Sequence, residues 1–259
     1  MYEQAKKLLS VSVDAKTKKG EKSGVLTGVM YLAPHSLSGY QVCPKASAGC
    51  MAACLYTAGQ GIYSSVQKSR LNRTRWFFEG RESFMAVLVE DIQRLVRKAV
   101  KLNMVPAVRL NGTSDIAWEK MAVTIDGVEF RSLIEAFPAV QFYDYTKILG
   151  RKLAVSLPNY HLTFSLAEDN DADAVKALEQ GYNVAVVMKA KRKEAKPDTW
   201  GGYPVVDGDV DDIRFNDAKG GHVVALFAKG KAVKDTTGFV RETTGGFRGS
   251  RKEIFLKVA

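Results

Sequence analysis

Short apolar runs rich in β-branched residues recur along this chain, and stretches with helical spacing separate most of them. Residues 25–32, 105–110, 140–145, 161–166, 183–188, 203–207 and 223–228 read as strands. Residues 63–78, 83–103 and 171–180 read as helices. Residues 125–137 contain another helix, and residues 147–156 form a short one. Ser83 is a natural cap for the second helix, and Gly181 ends the third. Such alternation predicts right-handed βαβ units and a mostly parallel sheet.

No Pro- or Ser-rich linker interrupts the 259 residues, and 46% hydrophobic content is ample for one core. The expected organisation is a single α/β domain over 1–259. A basic N-terminal arm covers 1–23, and a hairpin or tail covers 236–259. No G-x-G-x-x-G follows any strand, whereas polar residues collect after nearly every strand's C-terminal end. That pattern favours a partial or complete (β/α) barrel, whose C-terminal rim carries the chemistry. An open doubly wound sheet is the alternative.

All three cysteines, Cys43, Cys50 and Cys54, fall in VCPKASAGCMAAC, inside a loop at 40–60 that follows the first long strand. An odd set cannot pair fully within the chain, and clustered thiolates are the donors that zinc and iron–sulfur sites use. A helix over 48–56 would put Cys50 and Cys54 on one face, with Cys43 reaching over from the loop. Small residues nearby leave room for something bulky. Zinc sites show two close ligand pairs, and here one triplet stands alone, which favours an iron–sulfur cluster, [4Fe–4S] in type. Zinc in a Cys3His site with His35 is the alternative. Buried small hydrophobes are the bland reading.

The net charge of +10 favours an anionic partner such as nucleic acid, with plain solubility as the competing account. Lysines and arginines gather at both termini and at Lys189, Lys191, Arg192, Lys193 and Lys196. The first 24 residues lack an apolar h-region, and no apolar run approaches the roughly 20 residues of a span. With unpaired thiols, this predicts a cytoplasmic protein with no membrane partner. The Asp207–Asp212 carboxylates lack the spacing of an EF-hand and read as a solvated acidic turn. The mixed Gly, Arg and Phe of the last 24 residues suit a closing hairpin better than a single-strand-binding tail.

Three thiolates after the first strand of an α/β barrel resemble the arrangement of radical S-adenosylmethionine (SAM) enzymes. In those enzymes, three cysteines hold a [4Fe–4S] cluster whose open iron takes the amino and carboxylate groups of SAM. The spacing here, C-x6-C-x3-C, departs from the C-x3-C-x2-C of that family. Gly112-Thr-Ser-Asp115 matches its glycine-rich motif only loosely. The resemblance implies that Arg109, Asn111, Ser114 and Asp115 grip the methionyl end, Asp115 taking the ammonium. It places Tyr145, beside Tyr143, where a base could stack, Lys147 against a phosphate or carboxylate, and Ser165 and Glu168 at a ribose. Helix capping by Ser114 and Asp115 and core packing of the tyrosines explain the same residues without a ligand. The segments CPKASAGCMAACLYTAGQG, RLNGTSD, FYDYTK, FSLAEDN and VVALFAKGKAVKDTTGF also resemble a group of phage-encoded proteins. That match spans most of the chain and brings no activity with it. A phage accessory protein that contacts a host protein in the host cytoplasm is therefore a further expectation.

Overall fold

The computed structural model describes residues 2–12, 15–151, 157–190 and 194–249. Strand β1 (Ser10–Val11) and helix α1 (Ala15–Lys22) precede β2 (Val25–Val29). The segment after β2 carries α2 (His35–Ser38) and α3 (Ala48–Ala52), and leads to the long helices α4 (Ser64–Glu79) and α5 (Arg81–Lys101). Then come β3 (Val105–Arg109), the hairpin β4 (Val123–Ile125) and β5 (Val128–Phe130), α6 (Leu133–Ala136) and β6 (Gln141–Thr146). The chain continues through β7 (Tyr160–Ser165), α7 (Asp171–Glu179), β8 (Val184–Met188), β9 (Thr199–Trp200), β10 (Tyr203–Asp207) and β11 (Val223–Phe227).

Nine strands form one sheet in the order β1-β2-β3-β6-β7-β8-β11-β10-β9. The pairs β2–β3, β3–β6, β7–β8, β8–β11 and β11–β10 are parallel, with Val25 opposite Val105 and Val184 opposite Val223. The two end strands, β1 and β9, run antiparallel to their neighbours. A closed barrel requires the last strand to pair with the first. Here β1 and β9 each hold one edge, so the expected complete barrel is not formed among the described residues. The β4–β5 hairpin is a separate two-stranded sheet; in the large sheet β2, β3, β6, β7 and β8 follow one another in one direction. The sheet is open among the described residues, as in the alternative, but this stretch does not reverse about its first strands as a doubly wound sheet does. Beyond β8 the order reverses: β11 lies beside β8, then β10, with β9 at the edge.

Two compact units are distinguished by their contacts. The first comprises residues 1–44, 59–144 and 151–161. Its core is the apolar face of α5, where Phe84, Leu88, Ile92 and Leu95 recur at helical spacing and are buried. That face packs on β2 and β3. A Cβ at Gly28 would lie 3.1 Å from Leu9 Cδ1 and 3.2 Å from Leu95 Cδ2, so glycine lets the layers approach. Trp76, Phe77 and Phe84 pack edge to face. Ser83, expected as a cap, lies within the first turn of α5; its hydroxyl donates to the Gly80 carbonyl and accepts from Trp76 Nε1. The N-terminal segment is not a loose arm. Leu8 and Leu9 are buried, and both their N–H groups donate to the Asp91 carboxylate. Burying each leucine contributes roughly 1.5–3 kcal/mol.

The helix expected within 125–137 is largely replaced by the β4–β5 hairpin, with α6 after it. Asp126 (φ 50°) and Gly127 (φ 79°) form its two-residue turn.

The second unit comprises residues 45–58, 145–150 and 162–259. Phe164, Leu166, Val184, Val186, Met188, Val223 and Ala225 form its core against Ala174, Ala177 and Leu178 of α7. Residues 147–150 carry no helix, and 152–156, the rest of that expected element, lie outside the described residues.

The expected C-terminal hairpin does not form in residues 236–249; residues 250–259 lie outside the described set. Instead Arg241 makes an isolated parallel bridge with Met188. Its Nη2 donates to the Ala167 carbonyl (2.8 Å) and the Asp171 carboxylate (2.6 Å). Farther on, Phe247 is fully buried, edge to face with Trp200 at 4.8 Å.

The Asp207–Asp212 tract is pinned rather than solvated. Asp209 accepts from Phe227 N (2.7 Å) and Lys229 Nζ (2.6 Å), and Lys196 pairs with Asp207 and Asp209. Of the expected basic run, Lys189 pairs with Glu242 at the surface; Lys191, Arg192 and Lys193 lie outside the described residues.

Candidate functional site

The cysteine segment follows α2, in the connection between β2 and α4. Cys43 belongs to the first unit, and Cys50 and Cys54 belong to the second. Each is half-buried, and none forms a disulfide. In the first unit, Cys43 Sγ lies 3.8 Å from the Thr113 carbonyl, and the preceding Val42 carbonyl accepts from Asp115 N at 2.8 Å. The cysteine loop is thereby seated on the polar loop after β3.

In the second unit, the expected helix over 48–56 breaks in two. Helix α3 spans Ala48–Ala52, and a 3₁₀ turn follows at Leu55–Thr57. Ser47 caps α3, its side chain accepting from Cys50 N at 3.2 Å. Cys54 starts the 3₁₀ turn, its sulfur accepting from Tyr56 N at 3.5 Å. Cys50 packs against a small apolar cluster of Ala53, Ala167, Ala232 and Phe239. Among the described residues, no three His, Cys, Asp or Glu side chains gather into a metal-binding group. His35, the alternative fourth ligand, is exposed at the start of α2.

The remaining site residues of the second unit lie at the ends of β6 and β7. Lys147 Nζ donates to Ser165 Oγ at 3.0 Å. Glu168 accepts from Ser47 Oγ (2.6 Å) and Gly49 N (2.5 Å). Burial opposes the charge on Glu168, yet these two hydrogen bonds hold its pKa below the usual carboxylate value. Tyr145 lies beside the buried guanidinium of Arg214. Burial again opposes that charge, while Tyr145, Asp217, Asp212 and Asp211 keep it ionised.

In the first unit, the loop after β3 folds around Asn111. Its Oδ1 accepts from Ser114 Oγ (2.8 Å), Ile116 N (2.9 Å) and Trp118 Nε1 (3.2 Å). Its own N–H donates to Asp144 Oδ1 at 2.7 Å. The Asp115 carboxylate meets Arg151 Nη1 at 3.1 Å, and Arg151 also makes a two-pronged contact with Glu119 at 2.8 and 2.5 Å. Arg151 Nη2 donates to Tyr160 Oη (2.7 Å), which donates to Asp144 Oδ2 (3.1 Å). Arg109, at the end of β3, adds its charge near Asp144.

Burial pushes the Asp144 carboxyl up to about 7, against the pull of Arg151, the Asn111 N–H, Arg109 and Tyr160. Burial, followed by the nearby Asp144 charge, also holds the Tyr160 phenol well above its ordinary value. Tyr160 is therefore neutral, and Asp144 is a shielded carboxyl able to hold a proton near neutrality. The structure gathers Asn111, Ser114 and Asp115 with Glu119, Asp144, Arg151 and Tyr160 into one hydrogen-bonded network. Arg151 and Tyr160 stand in no motif. Their roles follow from tertiary contact alone.

The fold and these loops define an α/β protein with an open, mostly parallel sheet and polar strand ends. No helix among the described residues is long and apolar enough to cross a membrane. Residues 6–243 match the family described as Gene product 88, and the chain belongs to that phage family. No curated protein and no solved structure matches it.

Proposed function

We propose that this chain is an iron–sulfur protein that holds a [4Fe–4S] cluster through Cys43, Cys50 and Cys54. The observation that carries the reading is the concentration of every thiol, half-buried and unoxidised, in one short segment after the first parallel strand. Two local features support it. An N–H to sulfur contact, such as that of Tyr56 on Cys54, stabilises a thiolate. The neighbouring side chains at Ala46, Ala48, Ala52 and Ala53 are small. The one-directional strand order from β2 to β8 is also that of a partial barrel. When bound, a cluster supplies one-electron chemistry and, with three protein thiolates, one iron open to a further ligand. The chain's own part is to hold the thiolates, keep water off their apolar side through Phe239, and present polar strand ends.

In the radical SAM-like version of this reading, a SAM ammonium would have to compete with Arg151 for Asp115. That ion pair favours a second version, in which the cluster serves electron transfer or structure and SAM is not bound.

Anaerobic purification followed by iron, sulfide and zinc analysis tests the proposal. Brown protein containing iron and acid-labile sulfide, bleached by Cys50→Ala, is expected. Colourless protein with one tightly held zinc would overturn it. SAM added to the reduced protein then separates the versions: a shifted electron paramagnetic resonance spectrum supports SAM binding, and an unchanged one supports the closed cluster.

A further inference from the structure

We infer that Glu168 is the positioning residue of the cysteine helix, an assignment that rests on the cluster reading for its purpose. Helix α3 has five residues, far below the length at which a helix holds itself in water. Its orientation, and with it the direction of Cys50 and Cys54, must therefore come from outside.

Glu168 supplies that constraint from the loop after β7. One carboxylate oxygen accepts from Gly49 N at 2.5 Å and the other from Ser47 Oγ at 2.6 Å. Ser47 in turn accepts from Cys50 N at 3.2 Å. A single side chain thus controls two successive N–H groups at the start of the helix, one directly and one through the cap. Both carboxylate oxygens are engaged with protein rather than turned to a ribose.

The turn at residues 235–240 also closes on this helix, beside Glu168. Asp235 accepts from Gly238 N (3.1 Å), Val240 N (2.9 Å) and Thr237 Oγ1 (2.7 Å). That turn lays Phe239 on the cluster of small side chains that includes Cys50. Gly49 lies against both. A Cβ there would fall 2.2 Å from Thr237 Oγ1 and 2.7 Å from Glu168 Oε2, so no larger residue fits without prising the clamp open.

Two measurements on the full-length chain test this. In metal-free protein, the alkylation rate of Cys50 by iodoacetamide is followed by mass spectrometry. In anaerobically reconstituted protein, iron affinity and the reduced-state resonance spectrum are recorded. Glu168→Ala should speed Cys50 alkylation, weaken iron binding about tenfold, the low end for loss of a supporting contact at a metal site, and alter the spectrum. Glu168→Gln keeps a carbonyl acceptor for Gly49 N and should restore much of each. Asp173→Ala, an exposed acid on α7, should change none. Should Glu168→Ala fail to fold, Ser47→Ala removes one strand of the same tether and should shift both readouts in the same direction. Unchanged alkylation, iron content and spectrum in a folded Glu168→Ala protein would overturn the assignment. Wild-type protein that takes up no iron, while Glu168→Ala still exposes Cys50, would reject the cluster and leave the clamp standing.

Discussion

The hydroxyl of Tyr160 donates to Asp144 Oδ2 at 3.1 Å, and both side chains are almost wholly out of water. A carboxylate in such a place must either shed its charge or find cations. Asp144 does some of each, since Arg151 and Arg109 lie near and its pKa still rises to about 7.

The pH dependence of stability follows from that shift. Between the ordinary carboxyl value near 4 and about 7, folded Asp144 keeps a proton that the unfolded chain has lost. Its contribution is therefore full at the acid end and is lost as the pH rises through 7. Urea unfolding at pH 5 and pH 8 should show the wild type losing at least about 1.4 kcal/mol more than Asp144→Asn over that interval, the worth of one pKa unit. Parallel losses in the two proteins would remove Asp144 as the cause.

Arg151 is the shared partner of Asp115, Glu119 and Tyr160. Its removal strands two buried carboxylates. Arg151→Ala should cost about 3–5 kcal/mol in chemical denaturation, as for other buried pairs broken on one side. Arg151→Lys cannot reproduce the two-pronged contact with Glu119 and should recover only part. A loss below about 1 kcal/mol would show that the network relaxes or admits water, and that its geometry matters little to stability.

Gly112 lets the Asn111 loop lie against the end of β2. A Cβ there would sit 2.6 Å from the Met30 carbonyl oxygen and 2.7 Å from the Tyr31 ring. Gly112→Ala should lower stability by about 1–3 kcal/mol, the usual range for overpacking. It should also speed Cys43 alkylation, because Cys43 rests on the same loop at Thr113. Wild-type alkylation in a destabilised variant would separate the loop from the cysteine.

The surplus of positive charge makes a separate expectation. If it serves nucleic acid, binding should weaken steeply between about 50 and 200 mM salt through counterion release. Replacing Lys189, Lys191, Arg192 and Lys193 together should flatten that dependence. No detectable binding at the lower salt leaves the charge a matter of solubility.

Strands were the most legible part of this fold, because runs such as VAVVM are β-branched and bounded by turn residues. The hairpin at β4–β5 has a strong short-range signal in Asp126-Gly127 between VTI and VEF. The helical reading of the surrounding apolar residues hid that signal. Asn111, Ser114 and Asp115 stand out as polar residues after a strand; Asn111 holds Ser114, and Asp115 pairs with Arg151. Arg151 offered no such cue. It lies more than thirty positions from its carboxylates, so only the folded chain defines its role. Closure was illegible for a related reason: strand count says nothing about whether the last strand meets the first.

An unclosed sheet has two ledges where backbone N–H and C=O groups could recruit a neighbouring molecule. Among the described residues each ledge is occupied by a strand only two residues long, running against the sheet's direction: Ser10–Val11 at one end, Thr199–Trp200 at the other. So short a ribbon offers a foreign strand too few hydrogen bonds to hold it, which turns the ends of the sheet into terminators. A chain able to keep its sheet open need not polymerise through it.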